Sequence, residues 1–265
     1  MHNASFDESN TASIDAGLYV DTIAEYEKKE RAFVIVLILL IVIFHGWFGY
    51  WLRYGHARVS GIDARPINIE DDPIQINYSD KEKKEKMFVY SSMINRNKIT
   101  IIPQAHYEMS GMAVAYNHDF IFTNNFFDSA ALYDLGTAWG KMGDKNFYRK
   151  YFKCYSQKNE IQGSRVLWTQ PKTNPPALPR EYSTSHYSHS HIVPANRNVM
   201  AALLRIKVWD KIKIEGELID MQVGNWDYHT SMSRTDNTSM YGDRGNGSCE
   251  TIYVTKVQIG KRIYK

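Results

Sequence analysis

The stretch DKIKIEGELIDM, residues 210–221, sets the reading of the fold. Ile212 and Ile214 alternate with Lys213 and Glu215, the period of two expected of a strand with one apolar face. Its surroundings extend the pattern. Upstream, NRNVMAALLRIKVW (196–209) carries Val199, Leu203 and Ile206 at helical spacing, with Asn196 or Asn198 placed to cap it. Downstream, ETIYVTKVQIG (250–260) predicts another strand. KITIIPQAHYEMSGMAVAYN (98–117) predicts strands around Pro103, and QPKTNPPALPR (170–180), with four prolines, predicts a loop. DSAALYDLGTAWGKMGD (128–144) has helical character, with Asp128 as its cap and Gly143 as its stop. Tyr and Phe favour strands, and the chain has 18 Tyr and 11 Phe. Residues 87–265 therefore predict a β-rich α+β domain with a barrel-like or sandwich core.

A second stretch sets the location. AFVIVLILLIVIFHGWFGYWL (32–52) is 21 residues long and carries no formal charge apart from the titratable His45. As a helix it spans about 30 Å, the hydrocarbon thickness of a bilayer. Trp47, Tyr50 and Trp51 gather at one end, as aromatic side chains do at the headgroup level. A cleaved signal peptide fits less well, because the 31 residues before the span are long and acidic and no small-residue cleavage site follows. Lys28, Lys29 and Arg31 cluster before the span more tightly than Arg53, Arg58 and Arg65 after it. That asymmetry predicts a cytoplasmic tail (1–31), a transmembrane helix (32–52), a linker (53–86) and an extracytoplasmic β-rich domain (87–265). Pro66, Pro73 and the mixed charge run DKEKKEK (80–86) motivate the linker.

Composition narrows function by exclusion. A formal charge of +3 on 265 residues is too small to imply a nucleic-acid partner. No P-loop, GxGxxG after a strand, GxSxG elbow, HExxH or CxxC is present, so no cofactor is implied. SHYSHSHIVPAN (185–196) brings three histidines within six residues. On a strand, His189 and His191 share one face and His186 takes the other. A turn that leads into the following helix accounts for the stretch, and a metal site there needs further ligands, with His118, Asp119 and His229 as the distant candidates. Cys154 and Cys249, the two cysteines, suggest a disulfide if the domain is extracytoplasmic.

Read in order, PIQINY, PQAHYEMSGMAV, DLGTAWGKMGD, SHYSHSHIVPAN, IKVWDKIKIEGELIDM and SMSRTD followed by GNGSCETIYV resemble an uncharacterised bacterial family of single-span membrane-anchored proteins, over residues 73–257. Trp139, Gly140, Met142 and Asp144 match its WGxMxD element. His186 and His191 fall on the two histidines of its HSANxHxIP element, while His189 falls on an Asn position. Trp226, Ser231, Arg234, Asp236, Cys249 and Glu250 match a late element, and Arg165 is a further motif candidate. The resemblance implies the anchor and an outside domain, supplies no activity, and keeps His186 and His191 as the metal-ligand pair. DKIKIEGELIDM is also similar to strands of OB-fold barrels, which bind oligonucleotides or sugars in other proteins. The expectation is a non-enzymatic envelope protein of the bacterial inner membrane that partners the lipid bilayer and other envelope proteins. The alternatives are a membrane-tethered metal-dependent hydrolase using His186 and His191, or an OB-like ligand-binding barrel.

Overall fold

The computed structural model describes residues 28–47, 57–93, 97–117, 130–131, 133–158, 165–223, 226–230 and 249–265. The chain divides into two compact units, Met1–Arg53 and Tyr54–Lys265. The described part of the first is a single helix, α1 (Lys28–Trp47), whose side chains are all exposed. At 1.5 Å per residue it is about 30 Å long, and its length and apolar composition are those of a membrane-crossing segment.

The second unit is β-rich. Its core is built from five strands: β4 (Lys98–Asn117), β5 (Tyr133–Ala138), β8 (Tyr187–Pro194), β9 (Lys211–Val223) and β11 (Glu250–Ile259). β4 pairs antiparallel with β5 and with β9, β5 pairs antiparallel with β8, and β9 pairs antiparallel with β11. β8 and β11 pair in parallel, so the five pairings close into a cycle. β4 serves three sets of neighbours because it is 20 residues long and irregular twice, between Pro103 and Ala105 and between Ala113 and Ala115. Proline offers no ladder donor, so the first irregularity falls where the sequence removes an N–H. The main core packs Ala105, Tyr107, Met109, Leu135, Ile192, Ile214, Leu218, Ile252 and Val254.

The helix α5 (Arg197–Leu203) connects β8 to β9. Asn196 caps it, its side chain accepting from the amides of Asn198 and Val199. Val199, Ala201, Ala202 and Leu203 are buried in the main core, and the helix packs against β8 and β11. Both expectations for 196–209 and 210–221 hold in outline.

Two expectations need correction. Residues 57–86 are part of the folded unit and not a linker. β1 (Gly61–Ile62) pairs with β12 (Arg262–Tyr264), β2 (Ile74–Asn77) and β3 (Phe88–Ser91) pair with β4, and Ile67 and Ile69 are buried. The charge run 80–86 is the helix α2 (Asp80–Lys86), started by a Ser79–Glu82 capping box and with no buried residue. Residues 133–144 do not continue the expected helix. Tyr133–Ala138 is β5, and a 3-10 turn follows at Gly140–Gly143. Asp128 lies outside the described residues.

The remaining elements flank the core. The helix α3 (Lys145–Tyr151) is capped by Asp144, whose side chain accepts from the Phe147 amide at 2.7 Å. The hairpin of β6 (Phe152–Lys158) and β7 (Arg165–Pro171) forms a second, two-stranded sheet. The helix α4 (Arg180–Ser185) precedes β8, and β10 (Trp226–Tyr228) pairs with β9.

Candidate functional site

Every residue of β8 is buried, on both faces. Alternation places Ser188, Ser190 and Ile192 on one face and His189, His191 and Val193 on the other. On the first face, the hydroxyls of Ser188 and Ser190 lie 3.0 Å apart, and Ser188 donates to a carboxyl oxygen of Glu250, the first residue of the parallel strand β11. Burial pushes the Glu250 carboxyl up to about 8, and its Oε1 has no hydrogen-bond partner.

The second face gathers the chemistry. The rings of His189 and His191 meet edge to face at 4.5 Å. Asp134 stands opposite His191 in the β5–β8 register and its Oδ1 lies 2.7 Å from His191 Nδ1. The thiol of Cys249, the residue before β11, lies 3.1 Å from His189 Nδ1. One ligand atom from each of His189, His191 and Cys249 falls within 4.8 Å of the other two. Tyr228 approaches His191 edge-on at 6.5 Å.

The electrostatics follow from this packing. Burial opposes ionisation of Cys249, but His189 and His191 outweigh it and bring the thiol down to about 6. Burial disfavours the His189 cation, yet the neighbouring Cys249 raises it to about 9. Burial also works against an ionised Asp134, and the two histidines reverse the effect and hold it well below the usual carboxylate range. The packing thus favours the charged forms, a thiolate, two imidazolium rings and a carboxylate, in a largely desolvated site.

A thiol hydrolase needs the base that activates its cysteine to be oriented by a third group. Here His189 is the partner of Cys249, but its Nε2 is 3.7 Å from Asp134, too long for a hydrogen bond, and has no such partner. Asp134 orients His191 instead. The arrangement thus links Asp134 through His191 to the Cys249 thiol, with His189 on the other side of that thiol. It has the donor types, one sulfur and two imidazoles, of a transition-metal site.

The structure sorts the sequence candidates. His186 and His191 do not share a site. His186 precedes β8, stacks on Tyr182 with ring centroids 3.8 Å apart, and its Nδ1 lies 2.9 Å from the Tyr182 carbonyl. It packs beneath Gly140, whose φ of +55° and lack of a Cβ are both needed, since a Cβ there would meet His186 Cδ2 at 2.7 Å. Trp139 joins the same structural knot: its amide donates to the His186 carbonyl and its Nε1 to Asp72 at 3.1 Å. The disulfide between Cys154 and Cys249 is not formed, and both thiols are free. Cys154 Sγ faces the Tyr187 hydroxyl at 3.6 Å, whereas Cys249 faces His189. Asp144 is a helix cap, Arg165 opens β7, and Arg234 lies outside the described residues. His118 and Asp119 also lie outside them, and His229 turns to Asp220 at 2.9 Å.

Sequence reasoning set aside His189 and assigned Cys249 to a disulfide, and it did not single out Asp134. The period-two spacing of His189 and His191 was a usable signal. The parallel pairing that carries Cys249 to β8 was not readable, because it joins segments about 60 residues apart. Comparison of the chain with protein-family profiles, with curated proteins and with solved structures finds no match.

Proposed function

We propose that this chain is a non-enzymatic, single-pass protein of the bacterial inner membrane, anchored by α1, with its β-rich domain on the periplasmic side binding another envelope protein. In this reading the closed cycle of five strands is a small barrel of the OB type, with strand order 1-2-3-5-4 returning to 1 and a helix between the third and fourth strands. The fold alone assigns no ligand.

The observation that carries the binding role is the apolar edge formed by β2 and β3. Among the described residues each of these strands pairs only with β4. Protein edges of this kind are commonly blunted by charge or proline. Here Ile74 and Ile76 on β2 are 53% and 58% exposed, and Val89 on β3 is 62% exposed. Edge strands with exposed apolar side chains suit an extended segment of a partner protein, which adds as a further strand and buries those side chains.

The test is co-purification from membranes of the native host after mild detergent extraction. The wild-type chain is expected to retain a discrete protein partner, and an Ile74→Asp/Ile76→Asp chain with an unchanged melting transition is expected to lose it. A wild-type chain recovered without any partner, or a partner retained by the double variant, contradicts the reading.

A further inference from the structure

We propose that Cys249, His189 and His191 form a binding site for a thiophilic divalent transition metal, Zn²⁺ in the first instance, with Asp134 as the carboxylate that orients His191. Nothing in this inference depends on the partner-binding role.

The geometry carries it in three steps. First, the three ligand atoms already lie within 4.8 Å of one another. A tetrahedral zinc with bonds of about 2.3 Å to sulfur and about 2.0–2.1 Å to nitrogen holds its ligand atoms roughly 3.3–3.6 Å apart. The separation of 3.1 Å between Cys249 Sγ and His189 Nδ1 is close to that, so small side-chain rotations suffice. Second, the donor set is selective. Sulfur and imidazole suit zinc and its soft neighbours, and calcium and magnesium take oxygen ligands instead. Third, the surroundings supply what a metal-bound histidine requires. Asp134 engages Nδ1 of His191 at 2.7 Å while the ring also faces the Cys249 thiol, the carboxylate–histidine arrangement that fixes a ligating ring.

The other nitrogen of His189 fits the same arrangement. His189 is 3% exposed, and its Nε2 is buried with no hydrogen-bond partner. A buried polar atom left unpaired costs about 1–3 kcal/mol. With the metal on Nδ1, the ring's proton resides on Nε2, which already faces Asp134 Oδ1 at 3.7 Å. A sub-ångström closure would then let the one carboxylate hold both rings.

Binding is a ligand exchange without redox change. A Zn–S bond and two Zn–N bonds form, the bonds to displaced waters break, and the protons carried by the Cys249 thiol and by the ligating nitrogens of His189 and His191 leave to solvent. Since Cys249 immediately precedes β11 and both histidines lie on β8, the metal would pin together the parallel pair that closes the cycle of strands.

The experiment uses the full-length chain in detergent, stripped with a chelator and then titrated with Zn²⁺ against a chromophoric competitor, and separately with Co²⁺. The expected result is one metal per chain, with a near-ultraviolet thiolate-to-cobalt charge-transfer band. Cys249→Ser should abolish that band, His191→Ala should weaken binding at least 100-fold, and Asp134→Asn should weaken it roughly 10–100-fold. His186→Ala should bind as wild type does. Because a variant can fail to fold, the unmodified chain provides a second readout: Zn²⁺ should slow alkylation of Cys249 and leave that of Cys154 unchanged. A folded wild-type chain that binds no Zn²⁺, cobalt binding without the thiolate band, or equal Cys249 alkylation with and without Zn²⁺ would overturn the proposal.

Discussion

The Glu250 carboxyl is buried beside Ser188 with one oxygen unpartnered, and its pKa of about 8 leaves it mainly protonated at neutral pH. A neutral amide of the same shape should therefore replace it readily. Glu250→Gln is expected to change the unfolding free energy by less than about 1 kcal/mol, whereas Glu250→Ala, which leaves a void and strands the Ser188 hydroxyl, should cost about 2–4 kcal/mol. Urea unfolding of the two variants separates these outcomes. Glu108 makes the opposite case. Its hydrogen bond to Lys213 at 2.6 Å, with burial opposing and His106 at 3.4 Å assisting, holds its pKa below the ordinary carboxylate value. A folded pKa that is depressed gives stability above the unfolded value, lost as pH falls through the folded one. Glu108→Gln should flatten the acid side of the stability–pH profile by under about 1 kcal/mol, since both side chains are partly exposed. At this scale the sequence marked Glu250 and His191 as motif residues but gave no sign of who faces whom. His186 and His191 look equivalent in SHYSHSHIVPAN, yet one packs under Gly140 and the other faces Asp134.

Elements were legible wherever one face is solvent and the other core. β9 alternates over 211–215, and α5 carries an Asn cap before a buried stripe, so both are recoverable from the residues alone. β5 was not, because YDLGTA is buried along nearly its whole length and so shows no alternation. Its small residues fit a helix equally well. β1 and β2 were missed for another reason: they are short, lie among prolines, and owe their conformation to distant partners. Two predictions belong here. Gly216 on β9 passes so close to β11 that a Cβ would meet the Tyr253 carbonyl oxygen at 2.1 Å, a backbone atom that cannot yield. Gly216→Ala should destabilise the domain by about 3 kcal/mol, read as a lowered denaturant midpoint. Asn196→Ala removes the acceptor of two amides at the start of α5 and should cost about 1 kcal/mol by the same measurement.

The whole molecule joins a helix of membrane-spanning length to a unit whose five core strands pair in a closed cycle. Its β class and the apolar helix were readable from composition and periodicity. The cycle was not, since it depends on pairings such as β8 with β11 and β4 with β9 that join distant segments. Those pairings also place Cys249 against His189 and leave the Cys154 thiol at Tyr187, which explains why the expected disulfide is absent. If α1 is the anchor, removal of residues 28–47 should move the chain from the pellet to the supernatant after alkaline extraction of membranes. The partner-binding role makes the sharper demand. Photo-crosslinking residues placed at Ile76, at Val89 and at the exposed control Lys261 would report in intact membranes of the native host what each position touches. The account predicts one discrete crosslinked protein from Ile76 and Val89 and none from Lys261; no adduct from the β2–β3 edge, or the same adducts from all three positions, would contradict it.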